Sequence, residues 1–116
     1  MSYQKTFFPV TSTLLLPFEN LHKMKIMHID IKMHGDLRNK GIAFLAMKEA
    51  YKTGICGIAK YHPDSLQISA EGNEKQLERF TAWCRKAISG MTGDQVDVSY
   101  GAIVGYKDFE IKSNNN

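Results

Sequence analysis

The residues best suited to chemistry lie in one polar stretch, Gly35-Asp36-Leu37-Arg38-Asn39-Lys40-Gly41, with a glycine at each end. Arg38 and Lys40 place two cations inside it. Either could turn inward to face an anion; the competing reading is that both are solvated loop cations. His34, just before the stretch, is a candidate acid or base at the loop mouth, although a lone histidine at a strand end is usually a solvated side chain. Cys56 and Cys84 lie far apart without metal-like spacing and read as two buried thiols rather than a disulfide. Tyr51, Trp83 and Tyr106 read as packing or edge residues rather than a ligand stack. Nothing resembles a nucleophilic triad, a metal site or a nucleotide loop, so no metal or cofactor is expected.

The elements that must position this stretch follow from the hydrophobic pattern. From Lys25 to Met33 the residues alternate: Met27, Ile29, Ile31 and Met33 on one face, His28, Asp30, Lys32 and His34 on the other. That is a strand with one buried side, and Ile26 interrupts its polar face. After the polar stretch, Ile42 to Lys52 is rich in helix formers, with apolar Ala43, Ala46, Met47 and Ala50, and Gly54 stands where a left-handed C-cap is expected. Ile55 to Tyr61 and Leu66 to Glu71 are strands joined by the turn His62-Pro63-Asp64-Ser65, hence an antiparallel hairpin. Asn73 caps a second helix, with Gln76 completing a loose capping box and Leu77, Phe80, Cys84 and Ile88 forming its buried stripe. Gly90 and Gly93 end it. Val96 to Tyr100 is a fourth strand, and Phe109-Glu110-Ile111 offers a short closing one.

Composition bounds what such a chain can be. Its 116 residues have room for one ordinary domain, and its apolar and charged fractions are those of a folded globular protein. A formal net charge of +3 favours small anions mildly without implying a nucleic-acid partner. No segment approaches a membrane span or a signal-peptide core, because Leu14-Leu15-Leu16-Pro17-Phe18 is short and holds a proline. A cytoplasmic protein without a membrane partner is the expectation. Residues 1–23 have no steady period and read as an N-terminal extension; Met24 is a candidate start codon, which would place the extension outside the native protein. The domain then runs over residues 24–112, and residues 113–116 form a polar, disordered tail.

Strand, helix, strand, strand, helix, strand, with right-handed crossovers, puts both helices on one face of an antiparallel sheet. The fold class is α+β, a ferredoxin-like two-layer sandwich with one open sheet face. That order is shared by unrelated functions. An RNA-recognition module needs stacking aromatics on the open face, and Leu66-Gln67-Ile68-Ser69-Ala70 has none. Two cysteines cannot hold an iron–sulfur cluster alone. The open face, with Ile26 beside it, permits dimerisation without arguing for it.

The polar stretch discriminates further. Gly35-Asp36-Leu37-Arg38-Asn39-Lys40-Gly41-Ile42-Ala43 resembles, in length and register, the Gly-x-Val-Gln-Gly-Val-Gly-Phe-Arg motif of acylphosphatases. Two of the three motif glycines stand in place, and the third is Asn39, which tolerates positive φ best among other residues. Glu49-Ala50 with Gly54-Ile55-Cys56-Gly57, then Pro63-Asp64, Glu71-Gly72-Asn73 and Asp108-Phe109-Glu110-Ile111 are similar to further family signatures in unbroken register.

The resemblance implies a site and also a defect in it. In acylphosphatases the loop amides and helix N-terminus cradle phosphate, the final motif Arg clamps it, and an Asn on the second strand orients the attacking water. The implied anion loop is Gly35, Asp36, Leu37, Arg38, Asn39, Lys40, Gly41 and Ile42. The Arg position is Ala43 and the Asn position is Tyr61. The expectation is an acylphosphatase-like protein with little or no hydrolysis and a retained loop for phosphate or a small carboxylate. Two alternatives stand beside it: an active enzyme using Arg38 or Lys40 as relocated cations, and a structural or partner-binding module.

Overall fold

The computed structural model describes residues 25–35, 37, 41–88 and 95–112. Along these the chain forms β1 (Met27–His34), α1 (Ile42–Thr53), β2 (Cys56–His62), β3 (Ser65–Gly72), α2 (Glu74–Ala87), β4 (Val96–Gly101) and β5 (Phe109–Lys112). The expected order of elements is present, with ends displaced by a residue or two. The extension 1–23 with Met24, the loop positions Asp36, Arg38, Asn39 and Lys40, the glycines Gly90 and Gly93, and the tail 113–116 lie outside the described residues.

The strands form one sheet in the order β4-β1-β3-β2-β5. β1 pairs antiparallel with both β3 and β4, and β2 antiparallel with β3. β5 pairs parallel with β2, so the sheet is antiparallel as expected through its first four strands and mixed at one edge. The reason is where the chain turns. β4 runs opposite to β1 and leaves the sheet at the end where β1 and β2 begin. Residues 102–108 then travel along that end to the far edge, and β5 sets off in the direction of β2.

Burial follows the strand period of two. Ile29, Ile31 and Met33 of β1 lie opposite Ala70, Ile68 and Leu66 of β3, and all six are buried. The helices cover this side with Ala43, Ala46 and Ala50 from α1 and Leu77, Phe80 and Cys84 from α2. Alanines let α1 lie close to the sheet, and the larger volume comes from Phe80. Its ring stacks on Trp83 at 6.3 Å and meets Phe109 edge-on at 6.1 Å, an arrangement aromatic quadrupoles favour.

The helix ends carry the expected signals. Asn73 Oδ1 accepts from the Gln76 backbone N–H while Gln76 Oε1 accepts from the Asn73 N–H, each at 2.8 Å, a reciprocal capping box. Gly54 closes α1 at φ 83°. Gly57 of β2 serves another need: a Cβ there would run into the Ser69 carbonyl oxygen of β3.

Two substitutions check this account by urea denaturation. Asn73→Ala should cost about 1 kcal/mol through the lost cap. Gly57→Ala should cost more, because backbone rather than a side-chain tip must give way.

Candidate functional site

β1 delivers the chain into the loop under tight restraint. The His34 N–H donates to the Gln95 carbonyl and the Gly35 N–H to the Asp64 carbonyl in the β2–β3 turn, both at 2.8 Å. Gly35 sits at φ 125° and Gly41 at φ 65°, where a side chain would be strained. Between them Leu37 is buried in the core. The loop is thus anchored at its start, pinned at Leu37 and turned into α1 at Gly41.

Gly41 is the N-cap of α1 and has no side chain with which to satisfy the first helical amides. Tyr61 supplies that acceptor from the neighbouring sheet. The Ala43 backbone N–H donates to the Tyr61 hydroxyl at 3.0 Å. Ala43 is the second residue of the helix, so the phenol does what a Ser or Asp N-cap would do. Tyr61 can reach because it sits opposite Leu66 on the helix-covered face of the sheet and packs against the core. The Ala43 methyl is itself buried, only 1% exposed. The two positions predicted to matter are therefore in direct contact, joined by a hydrogen bond between an amide and a phenol.

His34 is not brought to this place. It belongs to the open-face set of β1, and its Nε2 lies 2.7 Å from Asp97 Oδ2 on β4. The cysteines also part company. Cys84 is buried and burial pushes its thiol up to about 12, whereas Cys56 is only half-buried; both are free. Tyr51 donates its hydroxyl to the Phe109 carbonyl at 3.2 Å, tying α1 to β5. Among the described residues no group of three or more His, Cys, Asp or Glu gathers as metal ligands would, and no helix is long and apolar enough to cross a membrane.

Sequence reasoning missed one polar cluster, at the opposite end of the sheet. His28 and Glu71 face each other across β1 and β3 and are both buried. His28 Nδ1 lies 2.7 Å from Glu71 Oε2, and its Nε2 lies 3.0 Å from Asp30 Oδ1, which also accepts from the Ser69 hydroxyl at 2.7 Å. Glu71 further accepts the backbone N–H groups of Val104, Gly105 and Tyr106 at 2.6, 3.0 and 3.2 Å. Burial acts to lower the His28 pKa, but the two carboxylates outweigh it and hold it above its ordinary value. Burial likewise acts to raise the Glu71 pKa, and the three amides with His28 hold it below the usual value. The i, i+2 spacing of His28 and Asp30 was visible in the sequence; the register bringing Glu71 opposite was not.

Tyr61→Phe, which deletes the acceptor of the Ala43 amide, should cost about 0.5–1.5 kcal/mol in chemical denaturation and speed exchange of that amide. In the folded protein a thiol reagent at pH 8 should label Cys56 and leave Cys84 unmodified until the chain unfolds.

Known proteins with this fold include acylphosphatases and, more distantly, BlsA in its photo-activated state, which superposes with TM-score 0.55 at 14% identity over 78% of this chain and 71% of that one. No protein-family profile matches the chain. An acylphosphatase from Synechococcus is 30% identical over 84 residues, covering 72% of this chain and 72% of the relative. One from Actinobacillus pleuropneumoniae is 29% identical over 80 residues, 67% of this chain and 89% of the relative. Among solved structures, an acylphosphatase from Coxiella burnetii superposes with TM-score 0.65 at 16% identity, over 75% of this chain and 93% of that one. The acylphosphatase of Bacillus subtilis gives 0.63 at 22%, over 74% and 98%. Full-length HypF, solved in its phosphate- and nucleotide-bound form, shares the fold at TM-score 0.64 and 23% identity, and the match covers 78% of this chain but 13% of HypF. On the match to the Synechococcus protein, 30% identical over 72% of each chain, the chain belongs to the acylphosphatase family.

Proposed function

We propose that this acylphosphatase relative hydrolyses acyl phosphates little or not at all, and that its loop remains a weak main-chain site for phosphate or a small carboxylate. The observation that carries the reading is the hydrogen bond from the Ala43 amide to the Tyr61 hydroxyl. An acyl phosphate hydrolase needs a cation against the developing charge, amides aimed at the phosphate and a polar group that orients water. At Ala43 the side chain is a buried methyl. Its amide is already engaged by Tyr61, whose bulk stands beside the helix start. Each lost transition-state contact is worth about a hundredfold or more in rate. The bond also couples the two positions, since a change at Tyr61 alters the acceptor of the Ala43 amide.

What supports a surviving anion site is backbone. Gly35 and Gly41 have positive φ values, a backbone conformation of the kind that anion-binding turns use. Arg38 or Lys40 would have to supply the charge in an active enzyme; Lys40 lacks the planar fork of arginine, and Arg38 would have to bring its fork from a different backbone position.

Benzoyl phosphate turnover tests the proposal. Wild-type protein should run near the uncatalysed rate, and Ala43→Arg combined with Tyr61→Asn should gain about a hundredfold or more. Efficient wild-type turnover contradicts the reading and points to Arg38 or Lys40, whose replacement should then abolish it.

A further inference from the structure

At the sheet end away from the loop, residues 104–106 of the crossover are fastened through one carboxylate, while the carbonyl of its last residue, Asp108, accepts the Gly57 amide at 2.9 Å. Glu71 accepts the amides of three successive residues, Val104, Gly105 and Tyr106, and one further contact from His28. His28 lies between Glu71 and Asp30, with a ring nitrogen on each. A neutral imidazole has one N–H, so both contacts are satisfied only when the ring carries two protons. The surroundings are built for that state. The Tyr106 ring stacks 6.2 Å over His28. On β4 the neighbour is Gly101, where a Cβ would come within 2.9 Å of His28 Cδ2. The titratable or charged groups facing the pair are Asp30 from β1, Glu71 from β3, Tyr106 from the crossover and Cys56, the register neighbour of Glu71 on β2.

We propose that this cluster is a pH-responsive latch: it holds residues 104–106 against the sheet while His28 is doubly protonated and Glu71 ionised, and loosens when either condition fails. The elements it biases are the crossover and β5 behind it. The crossover is exposed apart from the latch, with Ile103 52% and Val104 64% accessible, so little apolar burial would hold it once these bonds weaken.

The sign differs on the two limbs. His28 titrates above its ordinary 6.5, so its contribution is complete below that value and is lost as pH rises through the folded pKa. Glu71 titrates below its ordinary 4.5, so its contribution is present above that value and is lost as pH falls through the folded pKa. The latch is tightest in mildly acidic solution and opens toward alkaline pH through the histidine.

Amide hydrogen exchange on the whole chain, corrected for the intrinsic pH dependence, tests this. Protection at Val104, Gly105 and Tyr106 should fall by about tenfold between pH 6 and pH 9, as expected for the loss of one charge-assisted hydrogen bond, while the β1–β3 ladder keeps its protection. His28→Gln, which can donate one neutral hydrogen bond to Glu71, should remove the pH dependence. Flat protection in the wild type, or an equal fall in His28→Gln, overturns the proposal. If that variant does not fold, the ring nitrogens of His28 decide by nitrogen NMR. A ring that is mostly doubly protonated at pH 6.5 supports the latch, and a mostly neutral ring at that pH overturns it.

Discussion

A sheet covered on one face only is the constraint on which the rest of this molecule depends. Strand side chains alternate, so pairing β1 with β3 in one register commits Ile29, Ile31 and Met33 to the helices and His28, Asp30 and Lys32 to the other side. The same rule assigns the candidate site residues. Tyr61 falls on the covered face and can reach α1; His34 falls on the open face and pairs with Asp97 instead. A slip of one residue would exchange those roles along with the core.

The helix start next to the loop shows how a structural cap draws on the same groups that an anion would use. The first amides of a helix need acceptors, and an anion or an oxygen-bearing side chain will serve. Gly41 leaves the amides open and Tyr61 closes one of them. In this chain the acceptor comes from within the protein and is uncharged. The proposed loss of hydrolysis follows from that exchange, together with a methyl where the family carries a guanidinium. At the opposite end of the sheet, Glu71 solves a similar problem with charge, gathering the amides of the crossover where no strand can pair with them.

Much of this was legible in the sequence because it is local. Alternation from Met27 to Met33, the Asn73–Gln76 box and the glycine after α1 are short-range signals, and each element follows from its own residues. The assignment of Ala43 and Tyr61 to the family's Arg and Asn positions rests on motif register alone. The contact between them could not be read, because eighteen residues of chain separate a strand residue from a helix amide. The direction of β5 was hidden for a related reason. Phe109 to Lys112 looks the same parallel or antiparallel, and the end at which the crossover runs decides. His28 and Glu71, forty-three residues apart, met only through the β1–β3 register.

The central claim is that Tyr61 holds the helix-start amide that a phosphate would otherwise occupy. Backbone NMR during titration with inorganic phosphate tests it most directly, read at the Ala43 amide in wild type and in Tyr61→Asn. The account predicts that the wild-type Ala43 signal stays in place while that of Tyr61→Asn moves with phosphate. A saturable shift of Ala43 in the wild type, equal to that in the variant, would contradict it.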